Sequence, residues 1–311
     1  MDKYLITGGA GFIGSHLTEE LVRRGESVRI VDNLSTGKRE NIDPVLDNIH
    51  FIEGDIRDLE ICRKAVEGVS FVLHQAALSS VPLSVENPLL SDAVNIRGTL
   101  NLLSVSRDAG VEGFVLASSA SVYGDEALLP INEEMEPRPL SPYALTKFVG
   151  EKYCLLFNRF YGLPTVSLRY FNIFGPRQDP TSHYASVIPS FIKAALGSRP
   201  PAIFGDGEQS RDFTYVSDVI DANLLAVQAS DLNGQVFNIG SGSQTTVNML
   251  WAFLAHLTGN DIQPVFDPPR PGDVRHSFAD ISKAKKMIQY EPKITFEAGL
   301  EKTYAWYRER S

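Results

Sequence analysis

Short apolar runs alternate with longer amphipathic stretches over the first 170 or so residues. "KYLITGG" precedes a helix-like pattern over 12–24. "SVRIVD" and "IHFIEGD" follow, the second leading into a helical pattern over 58–67. "VSFVLHQAA" leads into 88–109 and "EGFVLASS" into 142–161, and "PTVSLRY" closes the series. Strands separated by helical crossovers predict an α/β fold with a doubly wound parallel sheet. Past about residue 172 the rhythm breaks. "FGPRQDPTSHY", "GSRPPAIFGDGEQS" and "FDPPRPGDVRHS" are Pro- and Gly-rich loops between short elements, the pattern of a smaller lobe that holds a ligand. The expected organisation is a doubly wound domain over 1–172, rejoined by segments near 216–240, and a ligand lobe over 173–311. No internal repeat or low-complexity linker interrupts it.

Composition narrows the function classes. With 43% apolar and 22% charged residues and a mean hydropathy of -0.09, the chain reads as soluble and globular. Its 311 residues exceed the usual single core. The net charge of -9, without a basic tract, argues against nucleic-acid binding, so an anionic ligand needs a locally built cationic site. "MDKYLITGGAGFIGS" resembles neither a signal peptide nor a membrane anchor. Cys62 and Cys154 both fall in helix-like segments, which fits a reducing, cytoplasmic compartment. The six histidines lack zinc-site spacing, with His74 and His276 each isolated, and no metal is expected.

In "TGGAGFIG", Gly8, Gly11 and Gly14 form a G-x-x-G-x-x-G pattern after a strand and at the opening of an amphipathic helix. A dinucleotide pyrophosphate needs close backbone amides and a helix N-terminus, although a tight strand-to-helix turn alone also uses such glycines. Asp32 adds to the pattern. It ends the second strand, 18 residues after Gly14, where a carboxylate accepts ribose hydroxyls and repels a 2'-phosphate, favouring NAD over NADP. Lys38 and Arg39 read as solvated loop charges.

"SPYALTK" places Ser141 as an N-cap and Pro142 at the first helical position, so Tyr143 and Lys147 share a face four residues apart. A nearby ammonium and the positive nicotinamide favour phenolate, which suits Tyr143 to take a hydroxyl proton. "LASSASVYG" would bring the hydroxyls of Ser118, Ser119 and Ser121 to the carboxyl edge of the sheet, where open α/β folds bind ligands.

With "TGGAGFIGSHL", "VDNLSTG", "GDIRD", "HQAA", "SSASVYG", "SPYALTK", "LRYFNIFGPRQ", "GDGEQSRDFTYVSD" and "PGDVRHSFADISKA", the whole chain resembles the extended short-chain dehydrogenase/reductases of the NAD-dependent sugar epimerase/dehydratase family. The resemblance implies a Rossmann domain holding NAD, a nucleotide-sugar lobe, and a homodimer joined through helices near 88–109 and 142–161. It assigns Tyr143 as catalytic base, Lys147 as the group that tunes it and holds the nicotinamide ribose, and Ser119 as partner of the reacting hydroxyl. Besides Gly8, Gly11, Gly14 and Asp32, it gives the cofactor Phe12, Ile13, Asn33, Ser35, Thr36, Gly37, Asp55 and Ile56, then Gln75, Ala76, Ala77, Asn95 and Phe171. It places the sugar near Ser79, Ser80, Ser121 and Asn172. Val187, Ala202 and Phe204 would border the nucleotide, Arg211 and Arg270 would grip its diphosphate, and Asp273 would take a ribose hydroxyl.

Dehydratases and decarboxylating members of this family carry a carboxylate just before "VYG", where this chain has Ala120 and Ser121. The remaining chemistry is reversible oxidation at sugar C4, as in UDP-hexose 4-epimerases. "LSSVPLSVENP", "RQDP" followed by "YASVIP", and "GDVRHSFADISKA" most resemble members that interconvert UDP-GlcNAc and UDP-GalNAc. Members confined to UDP-glucose and UDP-galactose tend to carry tyrosine where this chain has Ser277. The alternatives are a UDP-glucose 4-epimerase inactive on acetylated sugars, a nucleotide-sugar dehydratase, and a non-catalytic NAD-sensing regulator.

Overall fold

A computed structural model describes residues 3–125, 128–179, 186–229, 233–259, 262–269 and 274–310. The first half alternates β1 (Tyr4–Thr7), α1 (Phe12–Arg23), β2 (Val28–Asp32), β3 (Ile49–Glu53), α2 (Leu59–Val66) and β4 (Phe71–His74). A helical stretch follows: α3 (Val81–Glu86), α4 (Pro88–Asp92), a π turn over Ala93–Arg97, and α5 (Gly98–Ala109). Then come β5 (Gly113–Ser119), α6 (Pro142–Tyr161) and β6 (Thr165–Tyr170). The chain leaves the sheet through β7 (Ile173–Phe174), α7 (Val187–Leu196), β8 (Ala202–Phe204), β9 (Ser210–Arg211) and β10 (Thr214–Tyr215). It returns through α8 (Val216–Gln228) and β11 (Gln235–Ile239), and finishes with β12 (Thr245–Thr246), α9 (Val247–Thr258), β13 (Val265–Asp267), α10 (Ser282–Ile288) and α11 (Phe296–Arg308).

Seven strands form one sheet in the order β11-β6-β5-β4-β1-β2-β3, every pairing parallel. Period-two alternation buries both faces. Tyr4 and Ile6 of β1 and Val115 and Ala117 of β5 pack with α1 and α8, whereas Leu5, Phe114 and Leu116 pack with α2, α5 and α6. That is why the strands read as apolar runs. The order reverses between β1 and β4, which opens a crevice at the carboxyl ends of these strands.

The lobe adds three two-stranded pairs, β7 with β10, β8 with β13 and β9 with β12. Its Phe191, Leu250, Trp251 and Leu300 belong to the same buried cluster as the α1 and α8 face, so one continuous core fixes the lobe against the sheet. Among the described residues, no helix is long and apolar enough to cross a membrane.

Candidate active site

The β1–α1 turn is closed by glycines. Gly8 has φ of 69°, and a Cβ there would lie 2.8 Å from the Ala76 amide nitrogen; at Gly14 it would lie 2.0 Å from the Gly8 carbonyl oxygen. Helix α1 starts at Gly11 without a side-chain cap, leaving its first amides turned toward the crevice. Beside them stands the Asp32 carboxylate, which accepts from the Ala10 amide at 2.9 Å and the Leu34 amide at 2.8 Å. Burial raises its pKa against those two amides. Gly37 passes so close that a Cβ would sit 2.8 Å from both Asp32 oxygens. Ser35 and Thr36 are exposed at the rim. Asp55 completes that side, accepting from Asn33 Nδ2 at 2.8 Å and from Arg57, whose hydrogen bond holds the acid down at about 2.

The floor between β4 and α3 is fixed from below. The Ala76 amide donates to Thr7 Oγ1 at 3.2 Å, and Gln75 turns its amide to Tyr170 and Asn223. Two of the expected cofactor residues have clear structural partners here. The Asn95 side chain is spent on structure: Oδ1 accepts from the Leu78 amide at 2.8 Å, while Nδ2 donates to the Leu78 carbonyl and to Thr146 Oγ1. It pins the 76–78 strap to α6. The Phe171 ring is fully buried beside Tyr123, and its amide donates to the Ile239 carbonyl, so only its carbonyl is left for a ligand. Ile56 is buried against Gly98, whereas Phe12, Ile13 and Ala77 remain partly open.

Opposite the glycine turn, Ser141 caps α6 by accepting from the Ala144 amide at 3.1 Å, with Pro142 in the first turn. The Tyr143 amide donates to Ser84 Oγ of α3 at 3.1 Å. Lys147 is buried, its Nζ donating to the Ala117 carbonyl at 2.8 Å and lying 5.9 Å from the centre of the Tyr143 ring. Burial raises the Tyr143 phenol, opposed by the Ser119 hydroxyl beside it. Burial also lowers Lys147 to about 8, opposed by Glu151. Ser119, Tyr143 and Lys147 therefore converge at the carboxyl end of β5.

Ser118 does not join them. Its buried hydroxyl turns to Glu151 at 2.5 Å, and Glu151 is in turn held by Arg169. Sequence reasoning missed Glu151 and Arg169; an acid eight residues after Tyr143 on the same helix face was the available signal. Ser121 Oγ is buried without a hydrogen-bond partner in the turn after β5.

The lobe closes the cleft with a pinned segment. Buried Asp212 accepts from the amides of Ser241, Gly242 and Ala279, the last at 3.1 Å. The Ser277 amide donates to the Ser210 carbonyl at 3.2 Å, next to Arg211 of β9, whose Nη1 donates to the Ser210 carbonyl at 2.9 Å. Ala279 packs with Val122, Tyr123 and Ile131, against which Ala120 also rests, so the segment carrying Ser277 is anchored two residues further on to the turn that follows Ser119. Ser80 caps α3, Ser79 and Asn172 are exposed, Val187 opens α7, and Ala202 and Phe204 flank buried Ile203 on β8. Arg270 and Asp273 lie outside the described residues. Among the described residues, no group of three or more His, Cys, Asp or Glu is placed to hold a metal.

Residues 4–240 match the sequence model of the NAD dependent epimerase/dehydratase family. The chain belongs to that family. NAD is accordingly its cofactor, and the glycine cradle, the uncapped α1 and the Asp32 carboxylate fit a dinucleotide. A putative UDP-glucose 4-epimerase of Methanocaldococcus jannaschii is 42% identical, the alignment covering 98% of each chain. The crystal structure of a Thermotoga maritima UDP-glucose 4-epimerase with UDP-glucose superposes with a TM-score of 0.94 at 43% identity, covering 99% of both chains. A UDP-N-acetylglucosamine 4-epimerase from Methanobrevibacter ruminantium, in complex with UDP-N-acetylmuramic acid, has a TM-score of 0.95 at 40% identity, covering 100% of this chain and 99% of its own.

Proposed function

We propose that the protein is a UDP-sugar 4-epimerase that interconverts UDP-GlcNAc and UDP-GalNAc and also accepts UDP-glucose and UDP-galactose. The observation that carries this reading is the convergence of Ser119, Tyr143 and Lys147 at the sheet edge facing the NAD cradle. Similarity over the full chain to UDP-sugar 4-epimerases supports the substrate class. In this reading residues 1–172, with 216–240, carry NAD, and 173–311 carry most of the nucleotide-sugar contacts, Arg211 meeting the diphosphate.

Bound NAD supplies the redox chemistry at sugar C4. The chain's residues handle the proton and the orientation. Tyr143 takes the proton of the C4 hydroxyl and returns it after the keto sugar has turned, Ser119 holds that oxygen, and the Lys147 ammonium stabilises the phenolate. Proton and electron pair both return to the substrate, so the net reaction is an isomerisation. Elimination would need an acid at Ala120 or Ser121, which favours epimerase over dehydratase. The buried, unpartnered Ser121 hydroxyl suits a sugar contact instead.

Room for the acetamido group is read from Ser277. An N-acetyl group must fit beside it in both orientations of the turned sugar, and a small side chain admits the group while still accepting a hydroxyl. The test is Ser277→Tyr assayed on both substrate pairs. It should abolish turnover of UDP-GlcNAc and spare UDP-glucose. Equal loss on both pairs would leave the plain UDP-glucose 4-epimerase as the better reading. A homodimer is supported by Val85, Leu89, Leu145 and Phe160, all exposed on the α3–α6 side. A cytoplasmic location is supported by two buried, unbridged cysteines.

A further inference from the structure

Tyr143, Lys147 and Glu151 occupy successive turns of one face of α6, and that face docks on the last three residues of β5. Ser119 meets Tyr143, the Ala117 carbonyl accepts from Lys147 at 2.8 Å, and Ser118 donates to Glu151 at 2.5 Å. From β6, Arg169 grips both Glu151 oxygens, Nε to Oε1 at 2.8 Å and Nη2 to Oε2 at 2.7 Å. Side chains of this pair are 4% and 3% exposed. Buried ion pairs contribute little net stability, because desolvation offsets the attraction. One that lies a single helical turn from the lysine assigned to the reaction has another use.

We propose that Glu151, clamped by Arg169, is a positioning residue that keeps the proton on Lys147 while Tyr143 gives its own up. The proposal rests on the catalytic assignment above. Burial favours a neutral Lys147 amine, which would leave the phenolate without its counter-charge. Glu151 acts against this, and Arg169 keeps that carboxylate oriented. Burial works against the charge of Arg169, but Glu151 more than offsets it, and the guanidinium stays cationic.

The other groups packed around the lysine do not replace the acid. His74 of β4 is buried and, with Lys147 adding to the effect, held down at about 3, so it stays neutral. Its tautomer follows from its partners: Thr99 Oγ1 gives its hydrogen to the Asn95 carbonyl, so His74 Nε2–H donates to Thr99 and Nδ1 accepts from Thr7. On α6, burial pushes the Cys154 thiol up to about 12, leaving it uncharged. Tyr123 stacks on the far side of Arg169, its ring centre 4.5 Å away. Glu151 and Arg169 line a cleft of about 340 Å³ together with Lys152, Lys283, Glu133, Glu134 and Glu136.

The experiment is the pH profile of kcat for NAD-loaded enzyme, measured for wild type, Glu151→Gln, Glu151→Asp and the double variant Glu151→Gln/Arg169→Gln. Tyr143 and Lys147 titrate as a coupled pair, active with one proton between them, and a nearby negative charge raises both macroscopic values. Glu151→Gln should move both limbs to lower pH by about one unit, with KM little changed, and Glu151→Asp should restore most of the wild-type profile. The double variant leaves no unpaired buried guanidinium and should move both limbs in the same direction by a smaller amount. Should neither glutamine variant fold, Glu151→Asp, with its carboxylate drawn back, should still shift the limbs slightly toward acid. Limbs that stay in place in a folded variant, or a defect that Asp does not relieve, overturn the proposal. Tyr143→Phe separates the two levels. Full activity there overturns the catalytic assignment, whereas an inactive Tyr143→Phe with an unmoved Glu151→Gln profile overturns this inference alone.

Discussion

Tyr143 is a poor base until its surroundings are counted. A phenol with an ordinary pKa of about 10 is almost wholly protonated at neutral pH, and burial raises Tyr143 further. In the proposed assignment, base strength comes from Ser119, from Lys147 and from the positive charge of bound NAD. Tyr143→Phe removes the hydroxyl and keeps the ring, so it should fold, retain NAD and lose at least about 10²-fold in kcat; a rate assay beside the absorbance of released nucleotide checks both parts. Tyr143 and Lys147 were legible because an N-cap, a proline and an i, i+4 spacing are local features. Ser118 was misread because its hydrogen bond reaches from β5 across to Glu151 of α6. Glu151 and Arg169 were missed for the same reason: their pairing needs β5, β6 and α6 already assembled.

At the scale of elements, the tightly closed β1–α1 turn fits a dinucleotide. Gly14→Ala would drive a methyl group to 2.0 Å from the Gly8 carbonyl oxygen, so the turn must open. Overpacking of this kind costs roughly 1–3 kcal/mol. The variant should melt at lower temperature and come off purification with little NAD. Wild-type melting together with stoichiometric nucleotide would contradict the tight-turn account. Helix starts were readable where a polar cap announces them, as at Asp58 and Ser141, each accepting an amide in its first turn. The π turn at Ala93–Arg97 was not, since its position goes with the tertiary hydrogen bonds of Asn95.

For the whole molecule, alternating strands and crossovers specify the parallel sheet, because strands buried on both faces must be apolar throughout and helices must cover them. The lobe resists the same reading: its strands are two or three residues long, and the loops between them are tied by tertiary bonds such as those from the Ser241, Gly242 and Ala279 amides to the Asp212 carboxylate. The proposed function makes sheet edge and lobe together the cleft in which a sugar is oxidised, turned and reduced without leaving. The most direct measurement of that claim is proton NMR and mass spectrometry of UDP-GlcNAc incubated in D2O with purified protein and no added NAD. UDP-GalNAc should accumulate at unchanged mass, with the C4 hydrogen retained as protium, because hydrogen removed from C4 is returned to it without exchange. Inertness toward both UDP-GlcNAc and UDP-glucose, a product lighter by one water, or deuterium at C4 would contradict it.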